Sequence, residues 1–291
     1  MTALGRRRFL TIAAAALAFP ARAAEPAIWT GRAMGAEARI VLLGTDPVRA
    51  RRIFRRVEAE LAGVERHFSL HVDSALRRLN RDGRLFHPAP EMLAVLRLSD
   101  RVHRATGGAF DPTIQPLWLA VATGGDIEAA RQSVGWERVE TGEAGIALAP
   151  GMALTFNGIA QGHAADRVAD LLRGEGFGDV LIDMGEVMAL GTNGARDWQA
   201  AIAAPDGEEL ARVGLSDRAL ATSSPMGTRI GGGAAHILHP SGTPPRWSTV
   251  AVSAPDAATA DALSTAFCLM DRAAIEAALA AFPGAALEYL G

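Results

Sequence analysis

The sequence predicts a mixed fold of helices and sheets, and three observations carry that prediction. Apolar residues recur at helical spacing, as in Ile53, Val57, Leu61 and Val64. Residues 187–221 read instead as antiparallel strands joined by the polar turns Asn193-Gly194 and Asp206-Gly207. Between them, Thr155-Phe-Asn-Gly-Ile-Ala-Gln-Gly-His-Ala-Ala-Asp166 is a glycine-bearing loop that opens a helix and leads to the buried strand Val180-Leu-Ile-Asp-Met-Gly-Glu186.

In chain order, Ala33 to Leu43 reads as an early strand with Met34-Gly35 at its mouth. Asp46-Pro47 caps the helix of the first stripe, whose arginine-rich outer faces read as a solvated surface. Phe68 to Asn80 turns and starts a short helix at Asp73 or Ser74. His71 is the one side chain of that turn suited to stacking, a surface histidine being the simpler reading. Pro90 to Ala105 is a helix ended by Thr106-Gly107-Gly108. In Ala109 to Trp118, Pro112 holds Asp111 extended, which suits a fixed hydrogen-bond acceptor as well as a plain turn. Residues 124–150 give an Asp126-capped helix and a hairpin.

Gly158 and Gly162 lack a Cβ and let the backbone approach a ligand, and the positive end of the following helix favours a phosphate. The glycine spacing alone favours a unit that merely packs, and it is neither a P-loop nor a dinucleotide fingerprint. That helix carries Ala164, Val168, Leu171 and Leu172 on one face and stops at Gly174 and Gly176. Ala221 to Ser224 ends a strand with three hydroxyls, and Gly231-Gly-Gly233 leads to His236 and His239 before a turn at Pro240 to Gly242. Asp256 caps a helix on which Asp261 and Thr265 share one face and could grip a hard cation such as Mg²⁺. An Asp early in a helix is also favoured by the dipole alone. Asp271 caps a last helix, and Ala286 to Leu290 reads as a closing strand.

With 291 residues, 49% hydrophobic and 21% charged, the chain can bury a substantial core in one large or two smaller domains. All 29 basic residues are arginine, a bias that reads as codon usage. The lack of lysine excludes Schiff-base and pyridoxal phosphate chemistry and a Walker lysine. Cys268 is the only cysteine, so no internal disulfide is possible, and its apolar neighbours mark it as a core residue.

Arg6-Arg7-Arg8-Phe9-Leu10, an apolar run to Phe19 and Ala21-Arg22-Ala23 read as a twin-arginine signal peptide over residues 1–23, implying export to the periplasm. The apolar run is too short to span a bilayer stably. Its removal takes four arginines and moves the net charge from −3 to −7, which disfavours nucleic-acid binding. No Pro- or Ser-rich linker divides residues 24–291, so they read as one domain, whose lobes, if two, interweave or abut.

Taken in order, Met34-Gly35, Phe68 to Asn80, Gly107 to Thr113, Asn157 to Asp166, Thr222-Ser223, His236 to Gly242 and Ala260 to Thr265 resemble the FAD:protein FMN transferase (ApbE) family. The resemblance implies an α+β fold of two intertwined lobes, with mixed and antiparallel sheets and a flavin site between them. It implies a periplasmic enzyme that splits FAD, transfers FMN to a Ser or Thr hydroxyl of a membrane-associated partner protein and releases AMP. Asp261, Thr265 and the carbonyl of Ala160 would hold Mg²⁺, and His236 would be the catalytic base. Met34, His71, Asp111, Gly158, Ile159, Gln161, Asp166, Glu186, Thr222 and Ser223 fall in the stretches that surround the nucleotide. The wording at Asn157 to His163 and Asp183 to Val187 resembles the NosX-like subgroup linked to nitrous oxide reductase maturation.

Three departures stand out against the family pattern. Gln161 and His163 lie in the motif where a lysine is usual, and a neutral amide cannot neutralise a phosphate. His71 stands near the place of a stacking tyrosine. Asp183-Met-Gly-Glu186 replaces an Asn-x-Gly-Gly-Asp form, so Glu186 either substitutes for the acid or the contact is lost. Two other functions compete: an FAD pyrophosphatase, which would release FMN and AMP without an acceptor, and a non-catalytic flavin carrier, which would need neither Asp261 nor His236.

Overall fold

The structure, a computed structural model, describes residues 25–291, and the expected signal peptide lies outside them. The chain opens with the hairpin β1 (Ala27–Ala33) and β2 (Ala36–Leu42), followed by helices α1 (Pro47–Phe68) and α2 (Ala75–Asp82). Strand β3 (Arg84–Phe86), helices α3 (Pro90–Ala105), α4 (Gln115–Thr123) and α5 (Ile127–Gln132), and strands β4 (Glu140–Gly142) and β5 (Gly145–Ala147) come next. Helix α6 (Ala160–Gly174) leads to β6 (Val180–Asp183), β7 (Val187–Leu190), β8 (Trp198–Ala203), β9 (Glu209–Leu215) and β10 (Arg218–Ser223). Strands β11 (Arg229–Ile230), β12 (Ala234–Ala235) and β13 (Val250–Ala254), helices α7 (Ala257–Phe267) and α8 (Arg272–Leu279), and β14 (Ala286–Leu290) complete it.

The main sheet runs β1-β2-β6-β7-β10-β13-β14, so strands from both ends of the chain share it. The resemblance implied mixed as well as antiparallel sheets; every strand pairing among the described residues is antiparallel. Both faces of its central strands are buried, which is why they read as unbroken apolar runs. Ile40, Leu42, Val180, Ile182 and Val252 point to the helices, whereas Val41, Leu181, Leu220 and Ala251 pack on the β8–β9 hairpin through Trp198 and Ile202. Helix α7 lies on β10 and β13, and α6 packs between α7 and α1.

Local signals placed most helix ends. The carboxylates of Asp46, Asp126, Asp256 and Asp271 each accept amides of the first turn, and the Ser74 hydroxyl caps α2. The single strand expected over Ala33 to Leu43 is instead the end of a hairpin. Met34 and Gly35 have φ of 50° and 85° and form its two-residue turn. A turn with two left-handed residues suits the twist of paired strands. Cys268 is buried as expected, its thiol pushed up by burial.

Candidate active site

One cavity gathers motifs from distant parts of the chain. Its wall is built from the α3–α4 loop with Asp111, helix α4 with Trp118, the segment before α6 with Asn157 and Gly158, and Gln161 in the first turn of α6. The β6–β7 turn adds Glu186, the end of β10 adds Thr222 and Ser223, the segment after β12 adds His236, and α7 adds Asp261 and Thr265. Gly185, at φ 93°, makes the turn that delivers Glu186.

The glycine loop behaves differently from the anion cradle its residues suggest. Gly158 does line the cavity, and a Cβ there would lie 3.0 Å from Thr265 Oγ1. Gly162 faces another helix: a Cβ on it would sit 2.2 Å from the carbonyl oxygen of Ala257. Its amide donates to Asp261 Oδ2 at 3.2 Å, so the protein's own carboxylate occupies the first turn of α6. The Gln161 amide donates to the Met184 carbonyl at 3.2 Å and braces the β6–β7 turn.

Buried carboxylates lie in and next to the cavity lining. Burial raises the pKa of Asp261, opposed by the Gly162 amide and reinforced by the nearby charge of Asp166. Glu186 is raised well above the usual range by burial and by the charges of Asp261 and Asp183. Asp183 is pushed up to about 6 by burial. Glu186 Oε2 and Thr222 Oγ1 are buried without a hydrogen-bond partner. Buried polar atoms of this kind call for a ligand or solvent.

Among the described residues no three His, Cys, Asp or Glu side chains are arranged as a cation cage. Asp261 and Thr265, one turn apart on α7, offer a carboxylate and a hydroxyl in the cavity that Glu186 also lines. This oxygen-only set fits a hard divalent cation that completes its shell with phosphate oxygens and water.

His236 also lines the cavity, and its Nδ1 lies 2.9 Å from the Pro225 carbonyl and 3.2 Å from that of Thr228. Carbonyls only accept, so they place the ring proton on Nδ1 and make Nε2 the basic nitrogen. The Trp118 indole donates to the His236 carbonyl at 3.1 Å, a support that no local pattern in the sequence signals. Ser223 Oγ is 2.8 Å from Ser264 Oγ and 3.4 Å from Thr265 Oγ1. Asp111 Oδ1 accepts the amide and hydroxyl of Thr113, while burial raises its pKa.

Five expected residues lie outside the residues that line the cavity. Met34 sits in the first hairpin turn, its amide donating to Glu65. His71 is exposed, its amide donating to Ser69 Oγ. Ile159 and Ala160 are buried where α6 begins. Asp166 accepts the amides of Ala257 and Ala258, so its carboxylate serves a helix end. His163 also leaves the site, hydrogen-bonding Glu91 at 2.8 Å.

Residues 34–287 match the model of the ApbE family, a span that contains every residue lining the cavity. The chain belongs to the ApbE family. The FAD:protein FMN transferase of Klebsiella pneumoniae (strain 342) is 28% identical over 281 residues, covering 84% of this chain and 79% of that protein. Its counterpart in Escherichia coli (strain K12) is 26% identical over 278 residues, covering 84% and 78%. Among solved structures, the ApbE protein of Thermotoga maritima superposes with a TM-score of 0.78 at 26% identity, covering 90% of this chain and 93% of that one. The flavin transferase ApbE of Vibrio cholerae gives 0.77 at 25%, covering 89% and 91%. The α+β architecture is therefore the ApbE fold.

Proposed function

We propose that this chain moves FMN from FAD onto a Ser or Thr hydroxyl of a partner protein, with Mg²⁺ bound and AMP released. The observation that carries this reading is that His236, with its basic Nε2, and the Asp261–Thr265 pair line one and the same cavity. The names of the related transferases support it. His236 Nε2 takes the proton of the acceptor hydroxyl as that oxygen bonds to the FMN phosphorus. The bond from that phosphorus to the bridging oxygen breaks, and AMP leaves with the bridging oxygen. Asp261 and Thr265, which line the cavity, would hold Mg²⁺, which would supply neutralisation of the charge growing on the pyrophosphate. Trp118 steadies the His236 backbone, and Gln161 braces the turn that carries Glu186.

The paired arginines of residues 6–8 support export to the periplasm, and the wording at Asp183 to Val187 supports an acceptor in nitrous oxide respiration. Incubation with FAD, Mg²⁺ and a candidate acceptor domain is expected to leave flavin fluorescence on the denatured acceptor. FAD binding without covalent flavin on any of several acceptors overturns the proposal. Release of free FMN and AMP in their absence marks a pyrophosphatase.

A further inference from the structure

Helices α6 and α7 exchange carboxylates across their contact. From α6, Asp166 Oδ1 accepts the amide of Ala257 at 2.7 Å and Oδ2 that of Ala258 at 2.9 Å. From α7, Asp261 Oδ2 accepts the amide of Gly162 at 3.2 Å. The first amides of a helix have no partner within it, and its positive end favours a carboxylate. Helix α7 already has a cap of its own, because Asp256 accepts the amide of Thr259 at 2.8 Å. Asp166 therefore adds something other than a start signal: it ties the first turn of α7 to a fixed point on α6. The close approach at Gly162 leaves no room for the two helices to slide past that point.

Asp166 does not line the cavity, whereas Asp261 and Thr265 do, four and eight residues beyond the Asp166-bound amide of Ala257. A shift of the first turn of α7 carries both side chains with it, since they stand on the same rigid helix. We propose that Asp166 is a positioning residue, which seats α7 on α6 and thereby sets the direction in which Asp261 and Thr265 face a cation. The inference rests on the reading of those two residues as cation ligands.

Titration calorimetry of the full chain with Mg²⁺ alone, in wild type and Asp166→Asn, tests it without requiring turnover. An amide presents one acceptor and one donor where two amides need two acceptors, so one hydrogen bond is lost. Mg²⁺ affinity is expected to fall about 10–100-fold, the usual effect of removing a residue that orients a ligand. The Mg²⁺ concentration for half-maximal transfer rises in parallel, while kcat at saturating Mg²⁺ is retained. Unchanged Mg²⁺ affinity in a folded variant overturns the inference, as does a fall in kcat with affinity intact. Circular dichroism reports folding. If Asp166→Asn does not fold, Asp166→Glu carries the same test, and if neither folds Asp166 is a folding residue and the inference fails. A wild type that binds no Mg²⁺ overturns the ligand reading and this inference together. One that binds Mg²⁺ but transfers no FMN overturns only the proposed function.

Discussion

The Nδ1 atom of His236 is held 2.9 Å from the carbonyl oxygen of Pro225. That contact fixes the tautomer before any ligand arrives, and it gives the ring a directed lone pair. His236→Ala is expected to lower transfer about 10²–10⁴-fold, the range of a lost general base. FAD binding, followed by quenching of flavin fluorescence, is expected to persist. Equal loss of binding and turnover would assign His236 to nucleotide recognition instead.

Asp261→Asn and Thr265→Ala each remove an oxygen donor from α7. Both are expected to weaken Mg²⁺ binding by about tenfold or more. In the wild type, EDTA is expected to stop transfer and added Mg²⁺ to restore it. Full activity in excess EDTA contradicts the metal requirement.

Gly162→Ala places a Cβ 2.2 Å from the Ala257 carbonyl oxygen, a backbone atom with no room to turn aside. Overpacking of this kind costs about 1–3 kcal/mol. The thermal midpoint is expected to fall by roughly 2–4 °C per kcal/mol. Gly158→Ala, 3.0 Å from the Thr265 hydroxyl, is expected to spare stability more and to disturb Mg²⁺ binding. A thermal scan of both variants gives the comparison.

Stability without metal is expected to fall as pH rises from about 4 to about 7. Asp183 is pushed up to about 6 by burial, and Asp166 to about 7 by burial against the pull of two amides. Within that window the folded chain holds protons that the unfolded chain has released, so each step up in pH favours unfolding. The contribution is complete below the ordinary carboxylate range and gone above the raised values. Thermal midpoints measured from pH 4.5 to 7.5 without metal check the sign; a rise across the window is the opposite result. Mg²⁺ is expected to stabilise more at pH 7.5 than at pH 5, because it binds the ionised form of Asp261.

The site was legible in the sequence where a motif's own geometry makes the contact. Asp261 and Thr265 share a face because four residues are close to one helical turn, and both reach the cavity. The contacts of Gly162 and Asp166 are not legible there, because their partners, Ala257 and Ala258, lie about ninety residues away. A glycine that admits a helix and one that admits a ligand leave the same mark in a sequence. The role of Trp118 leaves no mark in the sequence because it depends on the carbonyl of His236, which only the fold brings near.

By itself the sequence determined the helix starts at Asp46, Asp126, Asp256 and Asp271, a choice of Asp73 or Ser74 for α2, the buried strand before Glu186 and the order of motifs that marks the family. These depend on hydrogen bonds and periodicities that close within a few residues. Tertiary structure alone decided that Met34 makes a hairpin turn and that Gln161 braces Met184. It alone decided that Asp166 ties α7 to α6. Those outcomes depend on which distant backbone groups are left without partners when the helices pack on the sheet, and no local pattern records that.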